Sequence, residues 1–290
     1  MNFKDTIRTA IDTLAQMPVI GEFFQPKPKI AVLRLSGIIA DGKRTALSHH
    51  TYERLIEKAF DTHNLKAVAL AINSPGGSPA QSALIASHIR RLADEKEVPV
   101  FAFVEDVAAS GGYWLACAAD EIYAAETSIV GSIGVISASF GFQELIARYG
   151  VERRVHTSGK DKGFLDPFLE EKPEDVKRLK EIQKELHESF KDWVSTRRAE
   201  KLEGSDKELF EGAFWTAPKA LKLGLIDGLA DLRGFAKEKY GEDIKLVELS
   251  PEKGFISGLI SGDAVLNKAS IPAEIADIIE QRSLWARYGL

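Results

Sequence analysis

The stretch "VEDVAASGGYWLACAAD", Val104 to Asp120, sets one hydroxyl, Ser110, among alanines and glycines. An apolar run ends before it and a helix-compatible run follows. Two readings fit. Small residues suit a tight turn, and they equally suit a nucleophile presented to substrate with little bulk around it. A second stretch, "NSPGGS" from Asn73 to Ser78, also lies where an apolar strand meets a helix. Adjacent glycines let backbone N–H groups approach a ligand closely. Such a cradle serves a phosphate at a helix N-terminus or an oxyanion in acyl chemistry. The P-loop lysine and the dinucleotide-fingerprint spacing are both missing. A serine hydroxyl also needs a base. The six histidines, His49, His50, His63, His88, His156 and His187, are not flanked by any segment resembling a catalytic loop. The other source is "HTSGKDKGFLDPF", which offers Lys160 and Lys162, or else is a solvated basic loop.

The elements around these residues follow a pattern. Apolar runs such as "IAVLRLSGII", "VALAI" and "VFAFV" alternate with helical segments from residue 30 to about 160. That is the signature of βα units on a mostly parallel sheet covered on both faces. Functional groups then gather at the C-terminal strand ends, where both glycine stretches lie. Helices are expected over Thr51–Thr62, over "SPAQSALIASHIRRLADEK" with Ser78 as cap, over Glu174–Glu203 and over Pro218–Leu223. The segments "EIYAAE", "SIGVISAS", "VERRVHTSG" and "IKLVELS" read as strands. Along Glu174–Glu203 the stripe Val176, Leu179, Ile182, Leu186, Phe190 and Trp193 reads as packing, within the domain or against another subunit.

The composition limits the function. The 290 residues carry 44% hydrophobic and 28% charged residues with a net charge of −5. That suits an ordinary soluble globular protein and offers nothing to a nucleic-acid backbone. The single cysteine, Cys117, excludes an intrachain disulfide and reads as a core residue. No Cys/His cluster has structural-zinc spacing. No segment has the ~20 apolar residues of a membrane span. Residues 1–29 read as an amphipathic helix, with Phe3, Ile7, Ile11 and Leu14 on one face, followed by a linker. It would dock on the body, on a neighbouring subunit or on a membrane surface. The expected division is 1–29 as this segment, 30–250 as the catalytic domain and 251–290 as a tail with a short helix. The location expected is cytoplasmic or peripheral to the inner membrane.

Taken together, "INSPGG", "ASGGYWLACAAD", "VGSIGVI", "SGKDKGFLDPF" and "FWTAPKALKLGLID" resemble the signal peptide peptidase A (SppA) family in its short, single-repeat form. The resemblance spans Ile30 to Leu232. It implies a crotonase/ClpP-type α/β fold and a Ser–Lys serine endopeptidase acting on signal-peptide remnants or other apolar peptides. It implies a homo-oligomer with no cofactor and no metal. Carried over motif by motif, Ser110 is the nucleophile and Lys162 the general base, with Lys160 as its rival. Ser132 in "GSIG" bonds the lysine amine, and Gly76 or Gly77 with Gly111 forms the oxyanion hole. The ClpP branch has a histidine where this chain has "VGSIG", which favours Ser–Lys over Ser–His–Asp. To act near neutrality, Lys162 must drop its pKa by roughly 3 units from about 10.4. Burial does this, so Lys162 is expected buried, with Asp161 and Asp166 turned away. Two other readings keep this sequence pattern: a crotonase-like acyl-CoA enzyme and a non-catalytic oligomeric scaffold for a membrane partner.

Overall fold

The computed structural model describes residues 27–42, 46–251 and 282–290. The N-terminal amphipathic segment, except for its last three residues, and most of the tail lie outside the described residues.

Among the described residues the sheet has eight strands. β1 (Lys29–Ser36), β2 (Leu65–Ser74) and β3 (Val100–Ala109) form its parallel centre. β8 (Lys245–Leu249) joins β1 in parallel. β3 is long enough to meet two partners along one edge. Its first half pairs with β4 (Glu121–Ala124) and its last three residues with β5 (Ile129–Gly131). β4 continues to β7 (Gly228–Leu229), and β5 pairs antiparallel with β6 (Phe214–Thr216). The central strands are buried almost throughout, as their near-continuous apolar runs require. Helices α1 (His49–Phe60), α2 (Pro79–Lys96) and α3 (Gly111–Ala116) share one core with the sheet through Ile56, Ile85, Ile89 and Leu115. The other face closes on the helix Leu232–Tyr240 through Phe101, Phe103 and Ala236. The expected α/β architecture with a mostly parallel sheet is present.

Caps fix where the helices begin. The Ser48 hydroxyl accepts from the Thr51 N–H and opens α1. The Ser78 hydroxyl accepts from the Gln81 N–H and opens α2, with Pro79 in the first turn.

Two of the expected strands are not strands. β5 (Ile129–Gly131) ends just before "SIGVISAS", and all of Ser132–Ser139 is irregular. "VERRVHTSG" has no regular structure either. Both stretches have β-type residues, but neither finds a neighbouring strand, and an unpaired strand leaves its amides to water. Instead, residues 136–162 are nearly all exposed, forming an arm outside the core that carries the short α4 (Gln143–Arg148). α5 (Pro173–Arg198) then returns the chain to the body. Its last turns bury Phe190, Val194 and Arg198, whereas Ile182 and Leu186 stay exposed. The apolar stripe is therefore packed in its second half only.

α1 and α2 meet at a histidine pair. His49 Nε2 lies 3.2 Å from His88 Nδ1, so one ring must donate and the other accept. His88 is buried, and its pKa lies below the usual imidazole value. The causes are burial, then His49 and Arg91, against weaker attraction from Glu57 and Glu53. A base depressed on folding binds fewer protons than it does in the unfolded chain. Its stability contribution is complete above about pH 6.5 and is lost as the pH falls from there through the folded value. Urea midpoints are therefore expected to fall between pH 7.5 and 5.5, with His88→Gln flattening that slope. An unchanged slope in the variant would assign it elsewhere.

Candidate active site

The site is built at the ends of β2, β3 and β5. A register shift between Ile72 and Ser74 brings Ser74 opposite Ala108, so the two strands end side by side. Ser110 follows β3 directly and heads α3. Its φ of +52° and ψ of −121° are unusual for any residue with a side chain. Such a conformation persists only where the surroundings hold it. Here the Ser110 N–H donates to the Gly131 carbonyl at 2.8 Å, and its carbonyl accepts from Tyr113 and Trp114 at 2.9 and 3.0 Å. Ser132 has the same left-handed sign, φ +53°, and its N–H donates to the Ala213 carbonyl. Both candidate serines therefore sit on constrained turns at adjacent strand ends. Among the described residues the Ser110 hydroxyl has no hydrogen-bond partner.

The glycines close around Ser110. A Cβ on Gly76 would lie 2.8 Å from the Ser110 Cβ and 2.9 Å from the Gly111 nitrogen. A Cβ on Gly77 would lie 2.0 Å from the Ile39 carbonyl oxygen. No side chain fits at either place. The two differ in what their amides do. The Gly76 N–H donates to the Ser74 hydroxyl at 3.2 Å. The bridge between Ile39 and Gly77 uses the Gly76 carbonyl and the Ser78 N–H. Gly77 and Gly111 are thus the amides left to point at a ligand. A cavity of about 470 Å³ opens beside them, lined by Gly77, Gly111, Ser110, Ile39, Phe190 and Tyr288.

Lys162 is elsewhere. It lies in the 3-10 turn Lys160–Gly163 of the arm, is exposed, and does not line that cavity. The expected burial is not found, because the arm contributes nothing to the core of a single chain. The two neighbouring acids are indeed turned away. Asp161 pairs with Arg178 at 3.1 Å and Asp166 with Arg153 at 3.1 Å. The Phe168 N–H, with Arg153, holds Asp166 below the usual carboxylate range. Cys117, three residues past Trp114, is fully buried, and burial pushes its thiol up to about 12. It is a core residue with no nucleophilic role.

Several positioning residues escape a reading by motif. Arg197 donates to the Cys117 and Ala119 carbonyls at 2.9 and 3.0 Å, and Arg90 to the Ala118 carbonyl at 3.0 Å. Trp193 Nε1 donates to the Trp114 carbonyl at 3.0 Å. These donors satisfy one carbonyl of α3, that of Trp114, and those of the turn Cys117–Ala119 that follows it. Tyr113 reaches the Leu225 carbonyl at 2.7 Å. The only signal in the sequence was a pair of arginines near a helix end, which is normally a solvated feature.

Comparison with known proteins places the chain in a family. Residues 93–241, half of the chain, match peptidase family S49. The chain belongs to that family. A Brucella abortus protein named as the Na(+)/H(+) antiporter NhaA is 46% identical over 298 residues, covering 99% of this chain and 40% of that protein. The chloroplastic serine protease SPPA of Arabidopsis thaliana is 33% identical over 252 residues, covering 81% of this chain and 36% of that protein. The chain therefore spans about 40% of the length of these relatives. A solved membrane-bound stomatin-specific protease covers 79% of this chain at 17% identity with a TM-score of 0.48. Among the described residues, no helix is long and apolar enough to cross a membrane, and no cluster of three metal-ligating side chains occurs.

Proposed function

We propose that this S49 chain is a serine endopeptidase with a Ser110–Lys162 dyad. The observation that carries the reading is Ser110 held at φ +52° with the Gly77 and Gly111 backbone against it. Neutral Lys162 Nζ takes the Ser110 proton as Oγ attacks the peptide carbonyl. The Gly77 and Gly111 N–H groups hold the oxyanion. Lys162 then gives its proton to the leaving amine, and water hydrolyses the acyl-enzyme with Lys162 again as base. Ser132, 4% exposed on the adjoining turn, orients the lysine amine. No step calls for a cofactor.

The lysine has to arrive from the arm. The arm exposes Ile136, Phe140, Leu145, Tyr149 and Val151, and α5 exposes Ile182 and Leu186 beside it. Apolar surface of this extent calls for a partner. A homo-oligomer in which one copy's arm seals the cavity of the next would bury both this surface and Lys162, giving the desolvation that the base requires. The apolar cavity wall, with Ile38, Trp114 and Val135, suits apolar peptides such as signal-peptide remnants.

Labelling with a fluorophosphonate probe, read by intact mass, tests the reading. One adduct is expected on wild type and on Lys160→Ala, and none on Ser110→Ala or Lys162→Ala. An adduct that survives Ser110→Ala would remove Ser110 from the mechanism. Loss in Lys160→Ala with retention in Lys162→Ala would exchange the two lysines.

A further inference from the structure

The end of the chain lies in the catalytic cavity. Leu284, Arg287 and Tyr288 line the same 470 Å³ space as Ser110. Tyr288 is only 7% exposed, and its hydroxyl donates to Ser132 Oγ at 3.3 Å. The ring packs on Val107 and Ala109 of β3 and meets Phe214 of β6 edge-on, with centroids 5.0 Å apart. These are the strand ends that build the site. The segment is also shaped to hold this position. Residues 282–286 are helical. The helix ends with Gly289 at φ +77°, the Gly289 N–H on the Ala286 carbonyl at 3.2 Å and the Leu290 N–H on the Trp285 carbonyl at 3.3 Å. That pair of bonds with a left-handed glycine is a Schellman stop. It turns the last residues back and fixes the direction of Tyr288.

We propose that residues 282–290 are a latch on the active site. The Tyr288 phenol occupies the Ser132 hydroxyl, and its ring fills the approach that the Lys162 amine must use. The inference rests on the Ser–Lys reading above. One hydroxyl offers one proton and two lone pairs; the phenol takes one lone pair, and its buried ring stands in the way of an amine reaching the rest from the same side. With Tyr288 in place the dyad is open, which accords with Lys162 standing exposed. The latch opens when the arm or a substrate displaces the tail. The ligand class of the niche follows from its present occupant: an aromatic side chain with a hydroxyl at its tip, on an apolar floor, ending at Ser132.

The test uses the full chain with Tyr288→Phe and Tyr288→Ala. The first removes only the phenolic hydrogen bond, and the second also removes the ring. Fluorophosphonate labelling of Ser110 is expected to be roughly 2- to 10-fold faster in Tyr288→Phe, the effect of one neutral hydrogen bond, and faster again in Tyr288→Ala. The octapeptide SLWARYGL, added in trans to Tyr288→Ala, is expected to bind by fluorescence anisotropy and to slow labelling back toward the wild-type rate. The same peptide with alanine for tyrosine should do neither. Labelling in both variants at or below the wild-type rate would overturn the latch and leave Tyr288 a packing residue. Peptide binding with no labelling of any variant or of wild type would overturn Ser110 as nucleophile, and the latch's catalytic role with it.

Discussion

Ser110→Ala and Lys162→Ala are each expected to abolish peptide hydrolysis, and an equal mixture of the two to recover it. Removing a nucleophile costs about 10⁴- to 10⁶-fold in kcat, and removing a general base about 10²- to 10⁴-fold. Both variants alone should therefore sit at background. Their mixture is the more informative measurement. Ser110 is fixed at the end of β3 beside the cavity, whereas Lys162 rides on an exposed arm that the single chain leaves uncovered. If the arm of one copy completes the site of the next, mixed assemblies contain sites that join an intact Ser110 to an intact Lys162. With random exchange in a symmetric ring this is roughly a quarter of the sites. About a quarter of the wild-type rate is then expected once subunits have exchanged, and nothing before. A mixture shown by mass to contain both chains in one assembly, yet still inactive, would mean that the dyad closes within one chain. The arm would then have to fold back over its own cavity.

The central fold was legible because burial on both sides of a sheet leaves a plain record. "VALAI" and "VFAFV" have no polar residue to place, and both are buried in the core. Ser110 and the glycines were legible for a related reason. Close backbone approach excludes side chains, so Gly76 and Gly77 marked a tight strand–helix junction before any distance was known, though a turn and a ligand cradle read alike there. The arm was not legible. "VERRVHTSG" and "SIGVISAS" carry β-type residues, but strand formation depends on a neighbour that the local sequence does not name. The burial expected of Lys162 failed in the same way: the residue stands exposed, and its local sequence does not name what would cover it. Arg197 and Arg198 were hidden differently. Paired arginines at the end of an amphipathic helix usually face water, and only the tertiary contacts reveal one on the carbonyls of the turn after α3 and the other in the interior. Tyr288 lay in a tail whose aromatic residues fit several roles, and its contact with Ser132 spans 156 residues of chain.

Arg198→Ala is expected to be the most destabilising single change in the body of the protein. Arg198 is the last residue of α5 and is 2% exposed. Its Nε and Nη2 donate to the Gly224 carbonyl at 3.0 and 2.7 Å. Its Nη1 and Nη2 grip the Asp227 carboxylate at 2.6 and 3.2 Å. Lys201 and the Ile122 N–H complete that carboxylate's shell at 2.8 and 2.7 Å. Gly224 cannot move aside, since a Cβ there would already lie 1.6 Å from the Lys201 carbonyl oxygen. The network joins α5 to the turn before β7, and Leu225 in that turn anchors Tyr113 of the Ser110 helix. Breaking one partner of a buried pair costs about 3–5 kcal/mol, because the other charge stays behind. For a domain of this size that lowers Tm by on the order of 10 °C. The pH dependence carries the same signature. Burial pushes Asp227 up, but the hydrogen bonds from Arg198, Lys201 and Ile122 outweigh it and hold the carboxyl below its usual range. Its contribution is therefore complete above the unfolded value of about 3.9 and is lost as the pH falls through the folded one. Without Arg198 the burial cost dominates, so the acid-unfolding midpoint should move to higher pH as well as Tm falling. The double variant Arg198→Met with Asp227→Leu removes both charges and should recover much of the loss. A double variant no more stable than Arg198→Ala would show that the Gly224 carbonyl, left without its two donors, is the dominant cost, and that the arginine serves the turn more than the carboxylate.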